Sequence, residues 1–203
     1  MEKALKTKLT KEKIINAAII EFGSSTYEEA SLSAMCAAHN ISKGLIYHNF
    51  KDKDEIYTLV VKRVYDELIE KFENLGDSGI DDFTKFFKMR EEFFAENHYY
   101  QNIFFETIFN PPAHLENVIR EIRRPYEERL KKRYLRMIDD IKLKEGISKQ
   151  EATDYIFFIC DTYNAYFRRL YRREKFDELI LEHENRMNKM LDYILHGIAV
   201  ERN

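Results

Sequence analysis

Residues 31–53 read SLSAMCAAHNISKGLIYHNFKDK, and the placing of three residue types in this stretch decides the fold. Ser31 can accept from the free N–H groups that open one helix, and Ser42, eleven residues on, can do the same for a second. Leu32, Met35 and Cys36 recur at helical spacing behind the first cap. Between the helices lies His39-Asn40-Ile41. Asn visits the left-handed region more readily than most residues, so Asn40 can end the first helix and turn the chain, leaving Ile41 to plug the angle between the two. Two short capped helices around a tight turn are the layout of a DNA-reading helix-turn-helix.

Outward from that motif the chain predicts helices almost throughout. In 203 residues there are three Pro and six Gly, and long runs lack turn signals. No strand pair carries a hairpin signature. A helix capped at Thr10 should run to about Phe22 and bury Ile14, Ala17, Ala18 and Phe22, with Lys3, Lys6, Lys8, Lys11 and Lys13 forming a short basic arm ahead of it. A fourth helix opens at Asp52 or Lys53 and carries Ile56, Leu59, Val60, Val64, Leu68 and Phe72 before the turn Gly76-Asp77-Ser78-Gly79. Helices are expected over 81–96 and 99–109, then over 114–144 with a break or kink at Pro125. Gly146 stops that helix, and Ser148 with Glu151 forms a capping box for an eighth reaching about Arg173. A ninth spans 176–196. The expected fold class is all-α with about nine helices: a DNA-binding domain over 1–53 and a helical ligand-binding and dimerisation domain over 54–203.

In such a motif the first turn of the second helix meets the base edges. Here that turn is Ser42-Lys43-Gly44-Leu45. Lys43 can donate to guanine O6 or N7, Gly44 lets the backbone approach closely, and Leu45, pointing outward, can lie against a thymine methyl. Tyr47, His48 and Asn49 are candidates for further phosphate or base contacts. Ile46 and Phe50 should face inward.

The residues that carry these roles also follow a known pattern. Phe22-Gly23, Tyr27, Ser31, Met35, Ile41-Ser42-Lys43-Gly44, Tyr47, Phe50 and Lys53-Asp54-Glu55-Ile56 resemble the N-terminal signature of the TetR/AcrR family of transcription regulators, over roughly residues 10 to 60. The resemblance implies that Tyr47 reaches a phosphate through its hydroxyl and that Lys53 clamps the DNA backbone at the start of the fourth helix. It departs from the family where Asn40 replaces the usual Gly, and where Ala34, Ala37 and Ala38 leave the first helix of the motif a small uncharged outer face. Ser31 and Ser33 remain as that helix's candidate phosphate contacts.

The net charge of −3 conceals an uneven distribution. Residues 1–53 hold eight Lys against six acidic residues, a surplus of two, so the rest of the chain carries the deficit. Cys36 and Cys160 sit in apolar helical patterns and read as buried free thiols.

Phe83, Phe86, Phe87, Phe93, Phe94, Tyr99, Tyr100, Phe104, Phe105 and Phe109 fall within 27 positions, covering more than one helix face. Aromatics in that excess either fill a core or line a cavity for an apolar ligand. The candidate ligand-binding residues are Phe86, Arg90, Phe94, Phe104, Phe105, Ile108, Tyr126, Tyr163 and Asn164, with Asn102 and Glu106 as further polar groups able to orient a bound molecule. The eighth helix is apolar around most of its circumference. The ninth aligns Leu179, Ile180, Met187, Met190, Leu191, Ile194, Leu195 and Ile198 in one stripe. Two copies of this pair would form a four-helix dimer interface, which the resemblance also implies.

Enzyme chemistry finds no footing. Cys36 and His39 share a face but lack further ligands, so no metal site is expected. His98, Glu106 and His114 lack tight metalloprotease spacing, and no nucleophile elbow, phosphate loop or dinucleotide turn occurs. No cofactor is expected. No apolar run approaches the roughly 18 residues of a membrane span, so the expected location is the cytoplasm, without a membrane partner. The expected partners are double-stranded operator DNA, a second copy of the chain and an unidentified small-molecule effector. Repression, relieved by a mostly apolar ligand, is what the resemblance implies. The alternative is a helical DNA-binding adaptor or nucleoid-type protein regulated through protein contacts.

Overall fold

The computed structural model describes residues 2–75, 81–171 and 175–198. Among them are nine α-helices and no β-strand: α1 (Glu2–Ser24), α2 (Leu32–His39), α3 (Lys43–Asn49), α4 (Lys53–Glu73), α5 (Asp81–Glu96), α6 (His98–Phe109), α7 (Glu116–Asp140), α8 (Lys149–Leu170) and α9 (Phe176–Ile198), with a 3-10 turn at Ala113–Leu115. The expected turn at Gly76–Gly79 and the expected end of the eighth helix at Arg173 lie outside the described residues, as do the side chains of Phe83, Leu191, Leu195 and Ile198.

The caps of α4 and α8 form where the sequence placed them. The Ser148 side chain accepts from the Glu151 N–H, and Glu151 reaches back to the Ser148 N–H at 2.9 Å, a complete capping box. Asp52 opens α4 by accepting from the Glu55 N–H at 2.9 Å.

Other expectations are corrected. The five N-terminal lysines all belong to α1 itself, because Ala, Leu and Lys favour helix and Thr10 does not cap. Its hydroxyl instead donates to the Lys6 carbonyl one turn back at 2.9 Å. Helix α7 is continuous through Pro125 and ends at Asp140 rather than Lys144. The Arg129 guanidinium donates to the Pro125 carbonyl at 3.0 Å. Of the apolar residues carried by α4, Leu59 is exposed, while Ile56, Val60 and Val64 are buried.

The chain divides into two compact units. The first holds residues up to Ile69, Phe93–Thr107 and Pro111–Arg124; the second holds Glu70–Glu92, Ile108–Asn110 and residues from Pro125 onward. The unit that contains α1, α2 and α3 therefore extends beyond Lys53, taking in most of α4 and α6 and the start of α7.

In the first unit Ile14, Ala17, Ala18 and Phe22 of α1, Met35, Ile41, Ile46 and Phe50, and Ile56, Val60, Val64 and Leu68 of α4 are buried, and the Phe22 ring meets Tyr57 of α4 edge-on at 4.9 Å. Arg63 of α4 ties back to α1 through Glu12 at 2.5 Å and Asn16 at 3.0 Å. In the second unit Tyr134, Met137 and Ile138 of α7, Ala152 and Ile156 of α8, and Met187 and Ile194 of α9 make one cluster. Arg133 lies over the Phe72 ring at 4.4 Å and donates to the Phe72 carbonyl at 3.3 Å, placing a cation on the last carbonyls of α4.

Candidate nucleic-acid interface

The helix-turn-helix is built as its residues dictate. The Ser31 hydroxyl accepts from the Ala34 N–H at 3.3 Å, and that of Ser42 from the Leu45 N–H at 3.2 Å. Asn40 takes the left-handed conformation (φ 50°, ψ 51°), which lets the Ile41 N–H bond to the Cys36 carbonyl at 3.0 Å. Ile41, Ile46 and Phe50 are buried, and Lys11 of α1 lies 5.4 Å over the Phe50 ring.

With those anchors inward, the rest of α3 faces solvent. Ser42, Lys43, Gly44, Tyr47 and His48 are exposed, Tyr47 by 62%. A Cβ built on Gly44 meets nothing within 4 Å, so the backbone there is open to close approach. Leu45 is half-buried rather than fully outward. The Asn49 side-chain amide is bonded to the Leu45 carbonyl at 2.8 Å. Ser33 is exposed and Ser31 half-buried.

Lys53 is placed differently from a free surface cation. Its ammonium donates to the Tyr27 carbonyl and lies 4.3 Å over the Tyr27 ring. Burial there pushes its pKa down, against the pull of Glu28, Asp54, Glu106 and Glu21. Tyr27 is the hub of this region. Its N–H donates to Glu106 Oε1 of α6 at 2.7 Å, its hydroxyl donates to Asp54, and its ring packs edge-on against Tyr57 at 4.9 Å. Asp54, held below the usual carboxylate range chiefly by the Tyr27 hydroxyl, also meets His114 Nε2 at 3.3 Å. Sequence reasoning placed Asn102 and Glu106 beside a bound molecule. In the structure both serve backbone of the head: Asn102 donates to the Gly23 carbonyl at 2.8 Å and Glu106 accepts from Tyr27. These partners are 79 positions apart, and no local signal links them.

The candidate ligand residues fall into separate groups. In the first unit Phe94, Phe104 and Phe105 pack ring on ring at 5.1 to 6.0 Å and are buried. In the second, Phe86 packs edge-on against Phe72 at 5.0 Å, Tyr126 lies 6.4 Å from the same ring, and Ile108 offers its carbonyl to Arg168 at 3.1 Å. Arg90 is buried and bonds Glu184 at 2.5 Å. Tyr163 donates to the His183 carbonyl at 2.9 Å, and Asn164 Oδ1 lies 3.0 Å from His183 Nε2. Tyr163 also lines a groove of about 590 Å³ along α8 and α9 with Tyr155, Met190, Tyr193, Ile194 and the cations Arg186 and Lys189. Tyr155, Phe158, Tyr166 and Leu170 of α8 and Leu181 and Tyr193 of α9 are exposed. Among the described residues no helix is long and apolar enough to cross a membrane, and no three His, Cys, Asp or Glu side chains gather as a metal would require.

Residues 14–60 match the family model described as bacterial regulatory proteins, tetR family. No curated protein matches the chain. Among solved structures, a TetR family transcriptional regulator from Chloroflexus aurantiacus J-10-FL shares 16% identity with a TM-score of 0.60, covering 96% of this chain and 95% of that one. The ketosteroid transcriptional regulator KstR2 of Mycobacterium tuberculosis shares 15% at 0.59, covering 94% and 95%. The regulator FadR from Bacillus subtilis, solved in complex with stearoyl-CoA, shares 20% at 0.60, covering 86% and 95%. At these identities the likeness is one of fold. The N-terminal segment is thus a tetR-type helix-turn-helix, and the chain as a whole carries the all-helical fold of these transcription regulators.

Proposed function

We propose that the chain is a homodimeric, sequence-specific DNA-binding transcription regulator, a repressor released from its operator by a small, mostly apolar ligand. The observation that carries this reading is α3: a capped helix, with Ile46 and Phe50 buried, that leaves Lys43 and Gly44 open at its start and Tyr47 open one turn on. Such a surface suits the major groove, with Lys43 on guanine, Leu45 on a thymine methyl, and Tyr47, Ser31, Ser33, Ser42, His48 and Asn49 on phosphates or base edges. Lys53 would reach a phosphate by giving up the Tyr27 carbonyl. DNA as partner puts the protein in the cytoplasm, and nothing in the site calls for catalysis.

One head makes few contacts, so useful affinity needs two on one duplex. The exposed apolar residues of α8 and α9 are the face proposed to pair the copies, since a monomer would leave them in water. For the effector, the support is the surplus of aromatic residues together with Arg90, Tyr126, Tyr163 and Asn164. The FadR relative binds an acyl-CoA, which makes long-chain acyl compounds the first to try.

The test is fluorescence anisotropy on a labelled 30-base-pair duplex across a range of salt. The reading expects affinity to fall with salt, Tyr47→Ala to weaken binding to all sequences, and effector and DNA to weaken each other's binding by one common factor. Absence of DNA binding at low salt by folded protein would overturn it.

A further inference from the structure

We propose that Glu106 is a positioning residue for DNA binding: from α6 its carboxylate fixes the Tyr27 peptide, and through Tyr27 it sets the start of α2 and the Lys53 ammonium. The proposal rests on the DNA-reading assignment made above.

Tyr27 is gripped at every polar atom. Its N–H donates to Glu106 Oε1 at 2.7 Å, its carbonyl accepts from Lys53, and its hydroxyl donates to Asp54. A turn closes around it, with the Ala30 N–H on the Thr26 carbonyl at 2.9 Å, and Ser31 follows, its N–H on Glu21 and its hydroxyl capping α2. A shift of the Tyr27 peptide therefore passes directly into the cap of α2 and the resting place of Lys53. The other Glu106 oxygen accepts from the buried Tyr57 hydroxyl at 3.4 Å. Both oxygens of this α6 carboxylate are thus spent on groups of the head.

A carboxylate is an expensive choice for that task. Glu106 is 3% exposed, and burial pushes its pKa up to about 7, with Lys53 the facing cation and Glu28 a facing anion. Asp54, Glu21 and His114 act on the same hub through Lys53 and Tyr27. A glutamine would accept from the Tyr27 N–H as well and carry no charge to desolvate. Buried ionisable groups held against stability mark functional positions. What the carboxylate adds is a charge-assisted, and so stronger, hydrogen bond to the peptide and a negative charge that offsets Lys53.

The experiment compares wild type with Glu106→Gln on a fluorescein-labelled 30-base-pair duplex selected by the wild type from a random pool, at pH 8 and pH 6. Taking the ratio of the two Kd values at each pH removes the pH dependence that the two proteins share. The ratio is expected to be about ten at pH 8 and near one at pH 6, while Glu106→Gln gains thermal stability at pH 8. A ratio of one at both pH values, with the variant folded, overturns the proposal. On the wild-type protein alone, the Tyr27 and Ser31 amide resonances should titrate together with a midpoint near pH 7, and a Ser31 resonance that ignores that titration also overturns it. A wild type that enriches and binds no duplex rejects the DNA-reading assignment itself, and this proposal with it.

Discussion

Gly23, near the end of α1, lies against Tyr99 of α6 so closely that a Cβ on it would stand 2.7 Å from the Tyr99 Cα and 2.9 Å from its carbonyl oxygen. Both are main-chain positions that cannot swing aside. The absent side chain is what lets α6 settle on α1, where Asn102 then bonds the Gly23 carbonyl. Gly23→Ala should force the two helices apart and destabilise the protein by about 1–3 kcal/mol, although alanine is the better helix former. Urea unfolding measures this, and an unchanged or raised midpoint would show that α6 gives way without loss.

Glu106 and His183 should pull the pH dependence of stability in opposite directions. Glu106 has a folded pKa of about 7, above its unfolded value, so the folded state binds the extra proton and stability falls as pH rises through the window between them. The size is on the order of 3 kcal/mol. His183 is buried between Glu184 and Asn164, and burial lowers its pKa, so the unfolded chain takes the proton first and stability is lost as pH falls below about 6.5. Unfolding free energies from pH 5.5 to 8 should therefore slope more steeply downward in His183→Gln and more upward in Glu106→Gln than in wild type. Parallel slopes in all three proteins would contradict the assignment of either group.

Phe158 and Tyr193 stand 66% and 72% exposed on α8 and α9. In a monomer Phe158→Asp would be almost neutral, within about 0.5 kcal/mol. In a dimer paired through these helices it would put an unpaired charge into the interface, so the variant is expected to sediment as a monomer and to lose affinity for a palindromic duplex. A variant that still sediments as a dimer places the interface elsewhere.

What the sequence revealed followed the range over which each cause acts. The caps at Ser31, Ser42 and Ser148 and the left-handed Asn40 depend on residues within one turn, and they were legible. The basic start of α1 misled because lysines read equally as a solvated arm or as good helix formers, and only the direction of the Thr10 hydroxyl separates the two. Leu59 fitted the apolar series of α4 yet is exposed. The Tyr27–Glu106 and Gly23–Tyr99 relationships join distant parts of the chain, and periodicity carries no trace of such pairings. The aromatic run from Phe86 to Phe109 announced dense packing, but which rings share a core depended on where the two units divide.

Selection of duplexes from a random pool, run in parallel with wild type, Tyr47→Ala and Lys43→Ala, decides whether α3 reads DNA. The account predicts that the wild type enriches an inverted repeat. It predicts that Tyr47→Ala enriches the same repeat more weakly and at lower salt, and that Lys43→Ala relaxes preference at one guanine in each half-site, at about 1–3 kcal/mol per site. A wild type that enriches no sequence, or a Lys43→Ala profile identical to the wild type's, would contradict it.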